Sequence, residues 1–447
     1  MTNDTGVEHH PQNIPDEIGY DRIRDAFRSK SEIAYQGAVQ RLDNKRTHLK
    51  QNPKPADNAV VPEFKRMPPA VWIGPSALTI PCPVTDMEQL SNRLSKVFSD
   101  YPELFNHCVK VYQKRVDYYR LTSEGQKILQ PDTVFHITAR ASIKTDGNEV
   151  KTEYYRLHVG GINDLPSEDA LIGELHRFAE YMQQKNRAKA VEDLYIGPVL
   201  YEDDAAMELL AEKIADYSHS YWISIRNQSD RKHRYLGKQV FPPALSVCQL
   251  GNDSVYNGVK LLGYRQVDAD GTKPKTLPII EKGILKHMLT GRTPSLGCPA
   301  STGNEHFDGL SRTLETRYTA GVFRVTSNRP VPYSKLYKRF LKAAKKAGLE
   351  HTYIIRKNRT SPYALIRVDL STGKEELVEG NYNSPSREQF KRMHAISKEE
   401  NVYNLDPAGG KGLGIISPKA ILLEDMELDI TPSRARHIDE AFYELRH

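Results

Sequence analysis

The 447-residue chain has few cysteines and no long apolar run, and each shortage excludes a class of protein. Its four cysteines, Cys82, Cys108, Cys248 and Cys298, form no CxxC pair, which excludes a zinc ribbon and argues against a disulfide scaffold. No apolar run approaches the roughly 18 to 20 residues of a membrane-spanning helix, so no membrane partner is expected. The first residues show no basic-then-apolar signal pattern, and a cytoplasmic location is the expectation.

Charge of one sign is also scarce. The formal net charge is +6 over the whole chain, a mild bias compared with the concentrated basic stripe of a nucleic-acid-binding protein. The densest basic stretches, 335–346 and 356–359, contain few aromatic residues. A solvated basic surface is the favoured interpretation, and nucleic acid is not the expected partner.

The sequence lacks the short motifs that hold a catalytic metal. Zinc peptidases commonly place two histidines on one helix with a glutamate after the first, and this glutamate takes a proton from the metal-bound water. None of the fifteen histidines is followed by glutamate, which excludes HExxH and the longer HExxxH. No metal site is therefore predicted in this chain, although spacing does not exclude a site assembled from scattered residues.

Other catalytic patterns are equally weak, and no catalytic residue is assigned. Segment 409–414 is rich in glycine but matches neither the GxxxxGK[ST] nor the GxGxxG phosphate loop. Ser301 lies near His306 and Asp308 in sequence, which does not indicate a triad, and no GxSxG elbow is present. The acidic run 202–204 is explained by the favourable interaction of acids with the start of a helix.

Apolar periodicity predicts five helices followed by a strand-rich region. The helices are expected at 31–51, from Thr85 onward, at 167–184, at 203–217 and at 334–347. Thr85 and Glu88 have the spacing of a capping box at the start of the second helix. Alternation in 108–126 and 135–159 predicts two strand pairs, the second with a turn at 146–148. Asp268 and Asp270 flank another predicted hairpin turn.

The order of these patterns predicts an α+β fold. Residues 1–20 are expected to form a disordered tail and 21–190 a helix-bearing α/β N-terminal domain. Residues 191–240 are expected to form a helical connector, and 241–447 a β-rich, mostly antiparallel C-terminal domain.

Four segments together resemble the TldD/PmbA family of metallopeptidase-like proteins. They are GPVLYEDDAAMELLAEKI at 197–214, GYRQVDADGTKPKTLPIIEKGILKHMLTGRT at 263–293, STGN at 301–304 and YYRLTSEG at 118–125. They are similar to the family's strand leading into an Ala-rich helix, its Asp-x-Asp/Glu-Gly turn with an apolar strand, its polar corner and its N-terminal strand. The resemblance extends over most of residues 30–430 and depends on the order and spacing of the segments.

The resemblance implies an α+β N-terminal part and a β-rich C-terminal part that dimerises. TldD-type members carry HExxxH and a later cysteine ligand, and they cleave unstructured peptides inside an enclosed dimer. PmbA-type members lack the histidine motif and pair with a TldD-type subunit. This chain has no HExxxH and no cysteine after Cys298, so it resembles the PmbA type. We therefore expect no cofactor in this chain, zinc supplied through a partner subunit, and a homodimer or a heterodimer with a TldD-type subunit.

The leading hypothesis is a subunit of a peptidase complex that binds unstructured peptide while a partner supplies the metal. One alternative is a self-sufficient metallopeptidase with a dispersed metal site. Another is a non-enzymatic binding protein, related to nucleic acid or to DNA gyrase, with which older descriptions connect the family. Peptide is expected to add to an exposed sheet edge. Substrate contacts are predicted at Arg292, Ser301, Thr302, Gly303 and Asn304.

Overall fold

The computed structural model describes residues 19–51, 67–144, 150–218, 232–292, 298–307, 316–318, 321–405 and 412–430. Most of the predicted tail, the turn at 146–148 and half of the glycine-rich segment 409–414 lie outside these ranges. Within them, no helix combines the length and apolar character needed to cross a membrane.

All five predicted helices are present, with a short sixth near the end. They are α1 (Tyr20–Gln51), α2 (Val84–Ser95), α3 (Glu168–Arg187), α4 (Asp204–Ser218), α5 (Tyr333–Lys346) and α6 (Arg387–Lys391).

Two helix starts differ from the prediction. Helix α1 begins at Tyr20 rather than at residue 31, and Tyr20, Ile23 and Phe27 continue the helical spacing of apolar residues to its start. The capping box of Thr85 is wrong: α2 begins at Val84 with Pro83 before it, and no side chain caps it. Pro83 occupies the N-cap position, and its carbonyl accepts from the backbone N–H of Met87, which places Thr85 in the first turn. Ser167 caps α3 by accepting from the backbone N–H of Ala170.

The first sheet has four strands, and helices cover one of its faces. They are β1 (Val71–Ile73), β2 (Leu104–Leu121), β3 (Lys127–Lys144) and β4 (Val150–Val159). Strand β3 is central, with β2 along one side and β1 and then β4 along the other. The predicted alternation in β3 is confirmed, because Phe135, Ile137 and Ala139 are buried in one core with side chains of α2 and α3.

The second sheet has seven strands. They are β5 (Lys189–Ala190), β6 (Asp193–Asp203), β15 (His351–Lys357), β16 (Ala364–Asp369), β17 (Glu375–Glu379), β18 (Met393–Ile396) and β21 (Ala420–Ile430). Their order is β18-β21-β6-β15-β16-β17-β5. Alternate residues of β6 enter different cores: Val199 and Tyr201 join the one that includes α4, and Leu200 joins Phe178 and Phe340 of α3 and α5. This sheet is therefore a layer between two cores.

The third sheet has six strands. They are β7 (Leu245–Gln249), β10 (Leu277–Glu281), β11 (Ile284–Leu285), β14 (Val322–Ser327), β19 (Glu400–Leu405) and β20 (Leu413–Pro418). Two small hairpins add β8 (Val255–Tyr256) with β9 (Val259–Lys260), and β12 (Glu305–Phe307) with β13 (Thr316–Tyr318). Most pairings beyond residue 241 are antiparallel, β14 with β20 being a parallel one. The predicted α+β fold is confirmed, while the predicted domain limits stay a prediction.

Candidate functional site

Three of the four segments that carry the family resemblance meet at one end of β2. The YYRLTSEG segment ends β2, the DADG turn lies beside it, and the loops around Arg292 and the STGN corner complete the group. Their charged side chains form what we call the ionic cluster: Arg120, Glu124, Asp268, Asp270, Arg292 and Glu305.

Two arginines hold the acids of the ionic cluster together. The Arg120 guanidinium lies 2.9 Å from Asp270 Oδ1 and 3.7 Å from Glu305 Oε1. Arg292 pairs with the carboxylate of Glu124 through Nη2, and its backbone N–H donates to Asp270 Oδ2 at 3.3 Å. Arg120 lies in β2 and Glu124 in the turn that follows it, whereas the other charges come from beyond residue 260, so these contacts join the end of β2 to the later part of the chain.

Asp268 shapes the turn on which the ionic cluster is built. Its Oδ1 accepts from the backbone N–H groups of Asp270 at 2.9 Å and Thr272 at 2.8 Å, and its Oδ2 accepts from that of Glu305 at 3.2 Å. Gly271 follows with φ of +76°, in the left-handed region where only glycine is unstrained. The predicted turn is therefore present, but the strands on either side of it do not pair with each other, so the predicted hairpin is wrong, and both acids are buried.

Two glutamines, one directly before β3 and one within it, connect this turn to the first sheet. Gln126 Nε2 donates to the carbonyl of Asp270 at 2.9 Å, and Gln130 Nε2 donates to that of Asp268 at 2.9 Å. Both glutamines are buried. Buried amide donors with carbonyl partners fix the distance between two segments, because leaving either group unbonded would cost free energy.

Burial dominates the electrostatics of the acid pair. It raises the pKa of Asp268 to about 7, helped by the nearby charge of Asp270 and opposed by the three backbone hydrogen bonds. Burial also raises the pKa of Asp270 well above its ordinary value, with a further increase from the hydrogen bond and charge of Glu305. Arg120 and Arg292 lower it, but the loss of water outweighs them.

Arg292 and Asn304, two of the predicted substrate contacts, are buried in this chain. The side chain of Arg292 forms an ion pair with Glu124 in the ionic cluster. Asn304 forms a reciprocal amide pair with Gln249, at 2.6 Å in one direction and 3.1 Å in the other. Both side chains therefore have partners inside the protein.

The other three predicted contacts form the tight corner between them. Ser301 Oγ accepts from the N–H of Gly303 at 3.1 Å. Thr302 Oγ1 accepts from the N–H of Thr290 at 2.8 Å. Gly303 has φ of +77°, and a Cβ there would lie 2.6 Å from the carbonyl oxygen of Lys273. All five predicted residues are thus brought together, and their contact with substrate stays a prediction.

The residues that the structure describes do not fit a metal ion. In the described ranges, no group of three or more His, Cys, Asp or Glu side chains is placed to hold one. The ionic cluster is the densest group of acids next to β2, but two guanidinium groups lie where a cation would bind. The oxygens of Asp268 already accept three backbone hydrogen bonds.

The acidic run at the start of α4 differs from its prediction. Glu202 is the penultimate residue of β6, and it pairs with Arg356 Nε at 2.6 Å. Asp204 does lie in the first turn of the helix. Burial, together with the charges of Glu208 and Asp203, raises its pKa to about 7, so the helix dipole does not set its charge state.

Strand β2 presents a feature that the sequence patterns did not identify, an outer edge. In the described residues it pairs with β3 alone. Gly74 N–H donates to the carbonyl of Leu129 at 3.1 Å, and Lys127 N–H to that of Ala70 at 2.9 Å. Odd-numbered residues of β3 therefore turn their peptide groups away from β2. Because their partners on β2 are also odd-numbered, those residues turn their own N–H and C=O groups outward.

Helix α2 closes one end of this edge, where Ser91 Oγ donates to the carbonyl of Val109 at 2.8 Å. Beyond that point, no backbone hydrogen bond joins the outer side of β2 to any residue in the described ranges. We call the outward residues the β2 edge: Val111, Gln113, Arg115, Asp117 and Tyr119. They span about 26 Å at about 3.3 Å per residue. The lysines and arginines within VKVYQKRVDYYRL were the available sequence signal, because edge strands are often rich in charge.

Comparison with known proteins identifies the matched region. Residues 196–330 match the model of the PmbA/TldA metallopeptidase C-terminal domain. No curated protein matches the chain.

Solved structures are similar to this chain over most of its length. A candidate modulator of a DNA gyrase from Thermotoga maritima is 13% identical with a TM-score of 0.54, covering 83% of this chain and 80% of its own. A candidate modulator of DNA gyrase from Bacteroides thetaiotaomicron is 12% identical with a TM-score of 0.54, covering 85% and 80%. TldE from Thermococcus kodakarensis is 12% identical with a TM-score of 0.52, covering 85% and 81%.

At these identities the structural likeness shows the fold. The matched domain and the shared fold agree with the segments that suggested the family. Residues 196–330 are therefore similar to the PmbA/TldA metallopeptidase C-terminal domain, and the chain as a whole shares its fold with these solved structures.

Proposed function

We propose that this chain is the peptide-binding subunit of a peptidase complex in which a partner subunit supplies the metal. The observation that carries the proposal is the β2 edge, whose outward peptide groups have no backbone partner in the described part of the chain. The family model, described as a metallopeptidase domain, supports a role in peptide hydrolysis. The absence of any His-Glu pair in the sequence supports a metal from elsewhere.

An extended peptide fits this edge because it offers complementary donors and acceptors along its own backbone. Strand addition of this kind uses main-chain hydrogen bonds for affinity, so it accepts varied sequences. An unstructured peptide is the natural ligand, since a folded one has already used its backbone groups.

The ionic cluster would hold the binding strand rigid. Arg120 lies one residue beyond the last member of the β2 edge, and its buried pair with Asp270 fixes that end. A strand that is already ordered loses less conformational entropy on binding, which strengthens the complex.

The partner is proposed to be a TldD-type subunit that carries HExxxH, with a homodimer as the alternative. The fold shared with TldE supports such a pairing. Elemental analysis of the dialysed protein, expressed alone without an affinity tag, tests the origin of the metal. We expect well below one zinc ion per chain, whereas about one per chain would favour a self-sufficient metallopeptidase.

Peptide binding is tested at the middle of the β2 edge. The probe is a neutral fluorescein-labelled peptide of about nine residues, enough to cover the edge. Gln113→Pro removes an outward N–H and leaves the ladder to β3 intact, whereas Gln113→Ala removes only the side chain. Fluorescence anisotropy should show binding about tenfold weaker for the proline variant than for the alanine variant, the effect of about 1.4 kcal/mol. Equal affinities would contradict binding at this edge.

A further inference from the structure

We infer that the β2 edge selects extended peptides in which an aromatic residue is followed, two positions later, by an acidic residue. The inference rests on the proposed peptide binding and names its substrate class. The observations behind this inference are the side chains of Lys110 and Tyr112. They lie on one face of β2, on either side of Val111, the first residue of the β2 edge.

Strand geometry decides which side chains of β2 meet the peptide most closely. The odd-numbered residues would exchange hydrogen bonds with an antiparallel peptide, so the even-numbered residues would occupy the non-hydrogen-bonded positions. Opposite residues at such positions are only about 4.5 Å apart between Cα atoms, and their side chains are in closest contact. Lys110 and Tyr112 are even-numbered, so each directly faces one peptide side chain.

Lys110 supplies a cation that is not neutralised within the described residues. It is exposed and lies in no ion pair with any of them. Two more cations share its face of the sheet: Arg156, which stacks on Tyr154 at 4.8 Å, and Arg140, which forms no ion pair in the described ranges. Lys114 differs, because Asp132 lies 3.3 Å from its ammonium group. An acidic side chain opposite Lys110 would therefore enter a positive field.

Tyr112 supplies a flat apolar surface next to that field. Its ring stacks on His136 with centroids 4.4 Å apart and planes inclined by 7°, and it is 42% exposed. A ring held in this way offers a fixed surface to a second aromatic ring, and such pairs contribute about 0.5 to 1.5 kcal/mol. Because an antiparallel peptide runs opposite to β2, the residue facing Tyr112 comes two positions before the residue facing Lys110.

A nucleic acid would also be attracted by cations and aromatic rings. The β2 edge favours peptide, since its outward N–H groups alternate with a row of carbonyl oxygens, for which a phosphate backbone offers no donor. The same row is complementary to the N–H groups of a peptide backbone.

The test compares three labelled peptides of one background that differ at a single position: Phe-x-Glu, Phe-x-Gln and Phe-x-Lys. At low salt, anisotropy should show the glutamate peptide binding about three to five times tighter than the glutamine peptide, as expected for a partly exposed ion pair. The lysine peptide should bind weakest. Added salt should reduce the preference for glutamate.

Variants locate the preference. Lys110→Gln should make the glutamate and glutamine peptides bind equally while leaving the affinity for the glutamine peptide unchanged. Lys338→Gln, an equal change of charge on the exposed face of α5, should keep the preference.

The outcomes separate the two proposals. If the glutamine peptide binds but glutamate brings no preference, or if Glu-x-Phe binds better than Phe-x-Glu, the inference is overturned and the proposed function stands. If no peptide binds, both fail. Tight binding of oligothymidylate with a steep salt dependence and no peptide binding would replace both with a nucleic-acid role.

Discussion

The polar groups at the Arg120 end of β2 are paired within the protein, whereas the peptide groups along the outer edge of the same strand are not paired with backbone groups of the described residues. At one end, Arg120 is enclosed with Asp270 and Glu305, and each charge of the group meets another charge or a backbone donor. Along the rest of the strand, the peptide groups from Val111 to Tyr119 point outward without a backbone partner in the described residues.

This difference separates polar residues that build the fold from polar groups that remain available for binding. The family-like motifs lie mainly at the enclosed end, where buried ionic groups are costly unless every one is paired. The available hydrogen-bonding capacity lies at the open side. A motif that marks a family therefore need not mark the surface that binds substrate.

The largest expected effect comes from opening the ionic cluster. Arg120→Ala would remove the nearest cation from the buried Asp270 and Glu305, and at pH 9, above the raised pKa of Asp270, breaking such a pair costs about 3 to 5 kcal/mol. The free energy of unfolding in urea should fall by that amount. Arg156→Ala is the matched control on the same sheet, because its guanidinium stacks on an exposed tyrosine, and it should change stability by less than about 0.5 kcal/mol. Similar losses for the two variants would refute the contrast between the regions.

The turn beneath the ionic cluster gives the next effect. Gly271 and Gly373 have φ of +76° and +73°, but a Cβ at Gly271 would lie 2.8 Å from that of Ala70, whereas nothing lies within 4 Å at Gly373. Gly373→Ala should cost about 1 kcal/mol for the left-handed backbone alone. Gly271→Ala should cost about 1 to 3 kcal/mol more, the usual range for overpacking. Thermal unfolding of both variants compares their losses of unfolding free energy. Equal losses would mean that the turn at Gly271 rearranges to accept a Cβ without further cost.

The local patterns predicted the helices and the alternation in β3, because both depend on neighbours in sequence. They failed where a distant residue or a single proline decided the result, as at Pro83 before α2. The turn at Asp268 was predicted, but its burial depends on Gln126 and Gln130, far away in sequence. The β2 edge could not be predicted, since an edge is defined by the strand that is missing beside it.

The titration of Asp268 has a smaller effect on the free energy of unfolding, and this effect depends on pH. The pKa of Asp268 is about 7 in the folded protein against an ordinary 3.8, so the folded state binds its proton more tightly than the unfolded state. The stabilisation from this group is full below the ordinary pKa and is lost as pH rises through 7. From pH 8 to pH 5 it should add up to about 1.4 kcal/mol per pH unit to the free energy of unfolding.

Asp268→Asn isolates this contribution, because its Oδ1 still accepts from Asp270 and Thr272 but carries no charge. Urea unfolding at pH 5 and pH 8 should show a smaller gain on acidification for the variant than for the parent protein. If both proteins gain the same free energy of unfolding between pH 8 and pH 5, Asp268 does not contribute to the pH dependence of stability.

The smallest expected effect on stability tests the openness of the β2 edge itself. Gln113 turns its N–H outward, whereas Tyr112 turns its own toward β3. Gln113→Pro should therefore differ from Gln113→Ala by less than about 1 kcal/mol in the free energy of unfolding, since proline is tolerated on an unpaired strand edge. Tyr112→Pro removes a ladder hydrogen bond and should cost about 3 kcal/mol relative to Tyr112→Ala. A large loss at Gln113 would mean that its N–H is already bonded and that no peptide can bind there; a small one leaves the outward row of peptide groups free to accept a strand.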